Sequence, residues 1–405
     1  MERRVSPTIQ WGTWPPVAFL YELYSSIIFM VCIAATFGSG ISEPIVNVLD
    51  SGAVGDGATD DSQAFLKAWE TVCGAASDTT PTLIIPEGKT FLLKPLTFEG
   101  PCGSTTIHVQ VGGDIIAPSE LSDWDGFDPE NWIVFRDVNG LTVDGNGQID
   151  GKGAKWWEAL MFSGCNSLTV SGLRHTNSQK SHISITECDN VFISSLHISA
   201  PEDSPNTDGI DISRSTNILI NNTFIGTGDD CVAINNGSAY INITWVTCGP
   251  GHGISVGSLG KDGEFNVVEE IHVEHCTFNG SDNGARIKTW QGGSGYAKKI
   301  TYQDITLINT DNPIFIDQFY CPDDDCNNKT SAVNVSDVLF ANMYGTSEVD
   351  TAIQLLCNGI FGCTNVRVEN VNITASGSDF QTISSCENAH GSSSNSNPQV
   401  DCLLS

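Results

Sequence analysis

Residues 188–221 read CDNVFISSLHISAPEDSPNTDGIDISRSTNILIN, and this stretch contains the repeating pattern from which we predict the fold. Two runs rich in β-branched residues, 191–193 and 218–220, each follow small polar residues, and a second short run at 196–198 comes soon after the first. Runs of this kind predict short strands separated by tight turns.

The same pattern recurs through most of the chain after residue 140, and successive runs start roughly 23 to 33 residues apart. The runs lie at residues 168–170, 191–193, 218–220, 240–243, 271–273, 300–302, 333–335 and 366–368. The absence of amphipathic helices between them argues against alternating β/α units. We therefore expect an all-β solenoid, a right-handed parallel β-helix whose coils lie about 4.8 Å apart. A β-sandwich is the alternative, although its turns recur at about 8 to 12 residues.

Four short motifs in the middle of the repeat carry the candidate chemistry. They are Asn206-Thr207-Asp208, Gly228-Asp229-Asp230, Gly251-His252-Gly253 and Arg286-Ile287-Lys288. The interval from Asp208 to Asp230 equals the interval from Asp230 to His252. In a coil of parallel strands this even spacing stacks the motifs on one face, so we expect them to line a common groove.

The three aspartates are candidate acid and base groups. Clustered carboxylates repel one another, which raises the pKa of at least one of them. One protonated acid beside ionised partners suits glycoside hydrolysis, in which the acid protonates the leaving oxygen and a carboxylate activates water. A calcium site or a turn-capping aspartate cluster is the alternative interpretation.

The remaining candidates surround this acidic cluster. His252 lies between two glycines, which permit close backbone approach, and it could orient the acid or share its proton. Arg286 and Lys288 face the same side of a strand and suit a substrate carboxylate, although alone they could be a solvated pair. Tyr320 could stack on a sugar ring or donate its hydroxyl.

Residues 45–140 are less regular. Residues 54–61 predict a Gly/Asp turn, and residues 60–72 predict a helix with Asp60 or Asp61 near its N-cap. Its apolar stripe comprises Ala64, Phe65, Ala68, Trp69 and Val72. We expect this helix to cap the open end of the β-helix. We assign residues 43–390 to the β-helix and 391–405 to a Ser/Asn-rich tail, loosely ordered beyond Asn388 apart from Cys402.

Residues 1–42 predict an export signal. Arg3 and Arg4 precede an apolar run at 27–37, and small residues follow at 38–42. This run suits a signal peptide and is shorter than the roughly 20 residues that span a bilayer. The long charged region before it leaves an uncleaved signal anchor as the alternative.

The cysteines and sequons also predict a secreted, extracellular protein. Removing the leader would leave an odd number of the 14 cysteines, so at least one should be unpaired or intermolecular. We expect local disulfides between Cys357 and Cys363 and between Cys321 and Cys326. Seven N-x-S/T sequons begin at Asn221, Asn236, Asn242, Asn279, Asn328, Asn334 and Asn372.

The charge of the chain excludes one class of partner. A net charge of −30 argues against nucleic-acid binding, which needs clustered Lys and Arg, and it suits solubility in an acidic medium.

The motifs resemble the signature set of polygalacturonases, glycoside hydrolase family 28, in plant-type form. The matching strings are Ser204-Pro-Asn-Thr-Asp208-Gly-Ile, Thr227-Gly-Asp-Asp230-Cys, Cys248-Gly-Pro-Gly-His252-Gly-Ile-Ser and Arg286-Ile-Lys288, and residues 52–61 also resemble the start of plant members. The resemblance covers about residues 45–390. It implies a right-handed parallel β-helix that hydrolyses α-1,4-linked galacturonan of pectin with inversion, in the cell wall, without metal or cofactor.

The resemblance also implies roles for individual residues. Asp229 would be the general acid, Asp208 and Asp230 would position and deprotonate water, and His252 would support the acid. Arg286 and Lys288 would hold galacturonate carboxylates, with Tyr320 and Asn206 as further substrate-binding residues. Cys231 and Cys248 would form a disulfide. Endo or exo action, and rhamnogalacturonan or xylogalacturonan as substrate, stay open; we expect a monomer.

Two other functions compete with this interpretation. A pectate lyase shares the β-helix, but it abstracts a proton with a basic residue and usually uses calcium, which the motif set does not suit. A wall-binding or signalling protein on a degenerate hydrolase scaffold is the third candidate, and the intact carboxylates argue against it.

Overall fold

The computed structural model describes residues 43–124, 126, 131–153, 158–178, 180–322, 332–377 and 380–404. The predicted leader at 1–42 and the sequon at Asn328 lie outside the described residues. None of the helices in the described ranges has the length and hydrophobicity needed to cross a membrane.

Two sheets built from parallel strands form the described part of the chain. An eleven-stranded sheet stacks one strand from each successive coil. Its strands are Leu96–Glu99, Asn131–Arg136, Glu158–Ser163, Ile183–Thr186, Ile210–Ser213, Val232–Ile234, Ile254–Leu259, Asn283–Trp290, Asn312–Tyr320, Thr351–Leu356 and Ile383–Glu387. This stacking of sequential coils confirms the predicted parallel β-helix.

A twenty-two-stranded sheet completes the coils. Its strands are Ile45–Asn47, Asp56–Asp60, Thr82–Ile85, Thr90–Leu92, Ile107–Val111, Asp114–Ile116, Leu141–Gly145, Gln148–Asp150, Leu168–Ser171, Arg174–Thr176, Asp189–Ser194, His197–Ser199, Thr216–Asn221, Phe224–Gly226, Ser238–Thr244, Thr247–Cys248, Phe265–Glu274, Thr277–Asn279, Ser294–Thr310, Asn334–Ser347, Cys363–Ala375 and Ala389–Asn397. Short 3-10 turns at Val48–Ser51, Leu121–Trp124 and Lys261–Gly263 interrupt the strands.

The predicted β runs stack in register to build the core. Ile218 pairs with Ile241, Ile241 with Ile271, and Ile271 with Ile300 on successive coils. All four side chains are buried, so their apolar area is removed from water in one continuous column. The prediction is shifted in one coil, because Val338, rather than a residue of 333–335, stacks on Ile300.

One α-helix, Ser62–Cys73, precedes the regular coils. Its predicted apolar stripe is confirmed: Phe65, Ala68, Trp69 and Val72 are buried, and Ala64 is partly buried against the core. The predicted capping of the open end stays a prediction.

The segment before this helix differs from the predicted turn. Asp56–Asp60 pairs as a strand with Thr90–Leu92. Asp61 occupies the N-cap position without capping the helix, since its carboxylate accepts hydrogen bonds from the N–H groups of Val54 and Gly55 at 2.7 and 3.0 Å.

The prediction of a loosely ordered tail beyond Asn388 is wrong. Ala389–Asn397 forms the last strand of the larger sheet and pairs with Cys363–Ala375. Cys402 is tied to Cys386 by a disulfide. Polar composition does not prevent a strand here, because Asn side chains on adjacent coils bond to one another, as Asn397 does to Asn372 at 2.9 Å. The coils therefore extend past residue 390.

The described cysteines fall into disulfides and buried thiols. The predicted Cys231–Cys248 and Cys357–Cys363 disulfides are present, together with Cys73–Cys102 and Cys386–Cys402. Cys321 is also disulfide-bonded, and its predicted partner Cys326 lies outside the described residues. Cys165, Cys188 and Cys276 are buried free thiols, which confirms the expectation that at least one cysteine is unpaired.

A buried histidine makes the stability of this fold depend on pH. His175 stacks in the core between Ile149 and Ile198, is fully buried, and neither ring nitrogen has a hydrogen-bond partner. Burial, with a smaller contribution from His182, lowers the pKa of His175 to about 3, against an ordinary value of 6.5. The folded chain thus holds His175 neutral, and the associated stability is lost as the pH falls from 6.5 towards 3.

We expect His175→Leu to raise the free energy of unfolding, and to raise it more at pH 4 than at pH 7. The extra gain at pH 4 should be about 3 kcal/mol, because the unfolded chain of the wild type binds a proton that the folded chain excludes. Urea unfolding of both proteins at the two pH values measures it. His182 is present in both, so its own titration largely cancels. An equal gain at both pH values would contradict this account.

Candidate active site

The ends of three coils bring the acidic motifs together. Ile210 pairs with Val232, and Val232 with Ile254, in the eleven-stranded sheet. Two residues before each of these positions stand Asp208, Asp230 and His252. The backbone confirms the alignment, since Gly209 N–H donates to Asp230 O at 2.9 Å and Cys231 N–H donates to Gly253 O at 2.8 Å. The equal intervals between these motifs in the sequence therefore correspond to adjacent coils.

Asp230 forms the buried centre of the cluster. Lys288 Nζ donates to Asp230 Oδ2 at 2.6 Å, and Ser255 Oγ donates to Oδ1 at 2.6 Å. The side chains of Lys288 and Asp230 are 9% and 1% exposed. Burial by itself would lower the pKa of Lys288. The negative charge of Asp230 outweighs this effect, so the net shift of the pKa is upward. Asp230 is thus held by one ammonium and one hydroxyl.

Asp229 pairs with the histidine. His252 Nδ1 lies 2.9 Å from Asp229 Oδ1, and that oxygen also accepts from the N–H of Asp230 at 2.8 Å. Burial raises the pKa of Asp229, but the hydrogen bond and charge of His252 outweigh it, and the net shift is downward. The hydrogen bond to Asp229 raises the pKa of His252 in turn. These two shifts favour an ionised Asp229 beside a protonated imidazole.

Asp208 and Asp229 have pKa values shifted in opposite directions. Burial and then the charges of Asp230 and Asp229 raise the pKa of Asp208 well above the ordinary value. The prediction that at least one pKa in the cluster is raised is confirmed. The raised pKa belongs to Asp208, whereas the pKa of Asp229, the aspartate expected to donate the proton, is lowered.

The predicted cations lie beside these acids. Arg286 and Lys288 both stand on strand Asn283–Trp290, and Arg286 pairs in register with Ser255. The Arg286 guanidinium carbon and Lys288 Nζ are each 5.4 Å from the centroid of the Tyr320 ring, at the end of the next strand. Lys288 is neutralised by Asp230, so Arg286 is the cation of this pair that keeps its charge available.

Asn206 is the predicted site residue that the structure does not tie to the others. It is exposed and adopts a left-handed conformation with φ 57°. None of the hydrogen bonds found in the described ranges uses its side chain. Its predicted role in substrate binding stays a prediction.

Sequence reasoning missed two groups that contact the acids. Ser255 bonds to Asp230, and its place two residues after the Gly251-His252-Gly253 motif was the available signal. Asp282 Oδ2 lies 3.4 Å from His252 Nε2, so the imidazole stands between two carboxylates. No motif singles out Asp282 before the coils are stacked.

Comparison with known proteins decides the family. Residues 73–397 match the family model described as glycosyl hydrolases family 28. The chain belongs to this family.

Curated family 28 relatives cover most of the chain. A protein of Arabidopsis thaliana that bears the name probable polygalacturonase is 50% identical over 374 residues, which are 89% of this chain and 81% of that protein. A polygalacturonase of Persea americana is 44% identical over 360 residues, which are 85% of this chain and 76% of that protein.

Solved structures agree on the family 28 fold. An exopolygalacturonase from Thermotoga maritima superposes with a TM-score of 0.69 at 21% identity, covering 82% of this chain and 88% of that one. An endo-xylogalacturonan hydrolase from Aspergillus tubingensis gives a TM-score of 0.67 at 26% identity, covering 89% and 98%.

The acidic centre of this family 28 chain also has the donor atoms of a metal site. Asp229, Asp230 and His252 each present a ligand atom, and these atoms lie within 4.8 Å of one another. Lys288, 2.6 Å from Asp230, already supplies the compensating positive charge there. A second cation would be repelled by this ammonium, so the arrangement favours acid–base chemistry by side chains.

Proposed function

We propose that this family 28 glycosidase is a polygalacturonase, which cleaves the α-1,4-galacturonosyl linkages of pectin by a single displacement with inversion. The observation that carries the proposal is the cluster in which three aspartates meet His252 and Lys288. Hydrolysis with inversion needs one carboxyl group to protonate the leaving oxygen and another to activate water, and this cluster supplies both. The names of the curated relatives support the substrate class.

In this mechanism Asp229 donates a proton to the glycosidic oxygen as the bond from the anomeric carbon to that oxygen breaks. Water held by Asp208 and Asp230 attacks the anomeric carbon from the opposite face and gives its proton to one of these carboxylates. Lys288 Nζ, 2.6 Å from Asp230 Oδ2, holds this carboxylate in place for that task.

Substrate binding favours the protonated form of Asp229. A bound galacturonate adds negative charge and excludes water, and both effects raise the pKa of Asp229. In the substrate complex Asp208 gives its proton to Asp229, which leaves the Asp208 carboxylate free to accept the proton of the attacking water.

The substrate carboxylate is assigned to Arg286. Its guanidinium has no ion pair within the described ranges and stands against the ring of Tyr320. A planar guanidinium can bind a carboxylate with two parallel hydrogen bonds, and the tyrosine ring offers a face for the sugar.

Assaying the products on polygalacturonate tests the proposed function. Reducing ends should appear without ultraviolet absorbance from unsaturated sugars, and anomeric NMR of the first products should show inverted configuration. Unsaturated products would indicate a lyase. If the folded protein cleaves no bond of polygalacturonate, a wall-binding protein on a hydrolase scaffold becomes the favoured interpretation.

We also propose that the protein is secreted into the cell wall as a monomer, after removal of residues 1–42. The disulfides suit an oxidising compartment, and the sequon residues Asn242, Asn279, Asn334 and Asn372 are exposed. Sequencing the N-terminus of exported protein and measuring its mass in solution test this. An intact Met1 would indicate an anchor, and a doubled mass would indicate a dimer.

Replacing the histidine should move the pH profile. Asp229 acts as an acid when protonated, so activity falls as the pH rises through its pKa in the free enzyme. His252 lowers that pKa. We therefore expect His252→Gln to shift this limb of kcat/KM to higher pH, besides lowering the rate. His272→Gln, on the larger sheet, is the matched control and should leave the profile in place. A limb that moves to lower pH would contradict the assigned pairing.

A further inference from the structure

Next to Tyr320 stand two residues that the mechanism does not use, Trp290 and Lys261. Trp290 ends the strand that carries Arg286 and Lys288, and its ring stands edge-on to Tyr320 with centroids 5.3 Å apart at 86°. Lys261, on the 3-10 turn Lys261–Gly263, holds its Nζ 5.4 Å from the centroid of the Trp290 ring. Tyr320, Trp290 and Lys261 thus form a continuous strip that starts at the catalytic cations.

The two cations at this strip have no ion pair, unlike most lysines and arginines in the described ranges. Ion pairs with carboxylates neutralise eight lysine and arginine side chains in the described ranges: Lys94, Arg136, Lys152, Arg214, Lys288, Lys298, Lys299 and Arg367. Lys261 and Arg286 have no such partner within the same ranges, and both lie against this strip of aromatic rings. In a protein of net charge −30, two unpaired cations at one place form a local site for an anion.

The aromatic rings indicate what kind of anion fits. Aromatic faces pack against the C–H groups of a sugar ring, while a lysine ammonium is a mobile point charge that can follow a carboxylate. Arg286 makes no hydrogen bond through its buried Nε, so ring packing rather than an acceptor holds the guanidinium. A sugar that carries a carboxylate can pack on the aromatic rings and pair with the cations. A neutral sugar has no group to pair with Lys261 or Arg286.

We propose that Lys261 and Trp290 form a further subsite, which binds a uronate unit of the polysaccharide next to the unit held by Arg286. The proposal rests on the proposed function and extends it by one sugar. Trp290 supplies the stacking face, and Lys261 supplies the counter-charge for the carboxylate. The subsite affects affinity for substrate, because neither residue reaches the acids that act on the glycosidic bond.

Lys261→Gln tests this subsite. Lys261 is exposed and its side chain has no ion pair in the described ranges, so the substitution should not disturb folding. We expect KM for hexagalacturonate to rise about fivefold with kcat unchanged, the loss typical of one exposed ion pair. The difference from wild type should disappear in high salt, which screens exposed charges. Trp290→Phe keeps a ring and should retain most of the affinity, whereas Trp290→Leu should not.

Arg174→Gln is the matched control. Arg174 is also exposed and lacks an ion pair among the described residues, but it lies on strand Arg174–Thr176 of the larger sheet. This variant should leave KM unchanged. Equal KM increases in both variants would mean a general charge effect, and an unchanged KM in Lys261→Gln would mean no subsite; either result overturns the inference.

Binding by an inactive enzyme separates this inference from the proposed function. Calorimetry with hexagalacturonate compares Asp229→Asn with the double variant Asp229→Asn/Lys261→Gln, and the double variant should bind about fivefold more weakly. Equal affinities overturn the subsite alone. If the wild type neither binds nor cleaves hexagalacturonate, the proposed function itself fails and the subsite fails with it.

Discussion

Asp229→Asn is expected to lower kcat on polygalacturonate by about 10³-fold, the usual contribution of a positioned general acid. The substitution is nearly isosteric, and the Asn oxygen can still accept the bonds that Asp229 receives from Asp230 N–H and from His252. The loss should therefore come from the missing proton rather than from misfolding. Reducing ends released over time measure it, and the unfolding transition of the variant checks its fold.

Two comparisons sharpen this result. Asp337→Asn removes the same charge from an exposed position on the larger sheet and should leave kcat unchanged. A galacturonide with an activated leaving group needs no proton from the enzyme, so it should restore much of the activity of Asp229→Asn and little of that of Asp208→Asn. The reverse pattern would assign the acid to Asp208, the aspartate whose pKa is raised by burial and by its charged neighbours.

Lys288→Met is expected to lower the free energy of unfolding by about 3–5 kcal/mol, because it leaves the buried carboxylate of Asp230 without its counter-charge. Activity should be lost as well, since the substitution removes the ammonium that holds the Asp230 carboxylate in place. Urea unfolding and the reducing-end assay measure the two effects.

A double substitution identifies the cause of that instability. Lys288→Met/Asp230→Asn removes the unpaired charge together with its former partner, so most of the lost stability should return while activity stays absent. Losses that simply add in the double variant would show that the ion pair is not responsible. Lys298→Met is the matched control, because Lys298 and its partner Glu269 are 32% and 29% exposed and such pairs contribute at most about 1 kcal/mol.

The parts of this molecule that could be predicted are those governed by periodicity. Recurring β-branched runs predicted the coils, and the apolar stripe from Ala64 to Val72 predicted the helix, because both follow from which side chains must be buried. Composition gave a wrong prediction at the C-terminal end, where the strand does not depend on buried apolar side chains. The Ser/Asn-rich end forms a strand, since ladders of Asn side chains such as Asn372 and Asn397 replace apolar packing.

The protonation pattern of the site could not be predicted from the motifs. They place Asp208, Asp229 and Asp230 together, but nothing in their spacing distinguishes one carboxyl from another. The distinction arises from different neighbours: Lys288 beside Asp230, His252 beside Asp229, and buried, crowded surroundings for Asp208.

The equal intervals in the sequence predicted that Asp208, Asp230 and His252 stand on adjacent coils, because parallel coils place residues one coil apart next to each other. The contacts of Ser255 and Asp282 with these side chains, and the opposite pKa shifts within the cluster, follow only from the folded structure. Lys288 lies 58 residues from Asp230 along the chain and 2.6 Å from it in space. Contacts of this kind depend on how side chains from different coils pack and on how much water they exclude, and no interval in the sequence records either quantity.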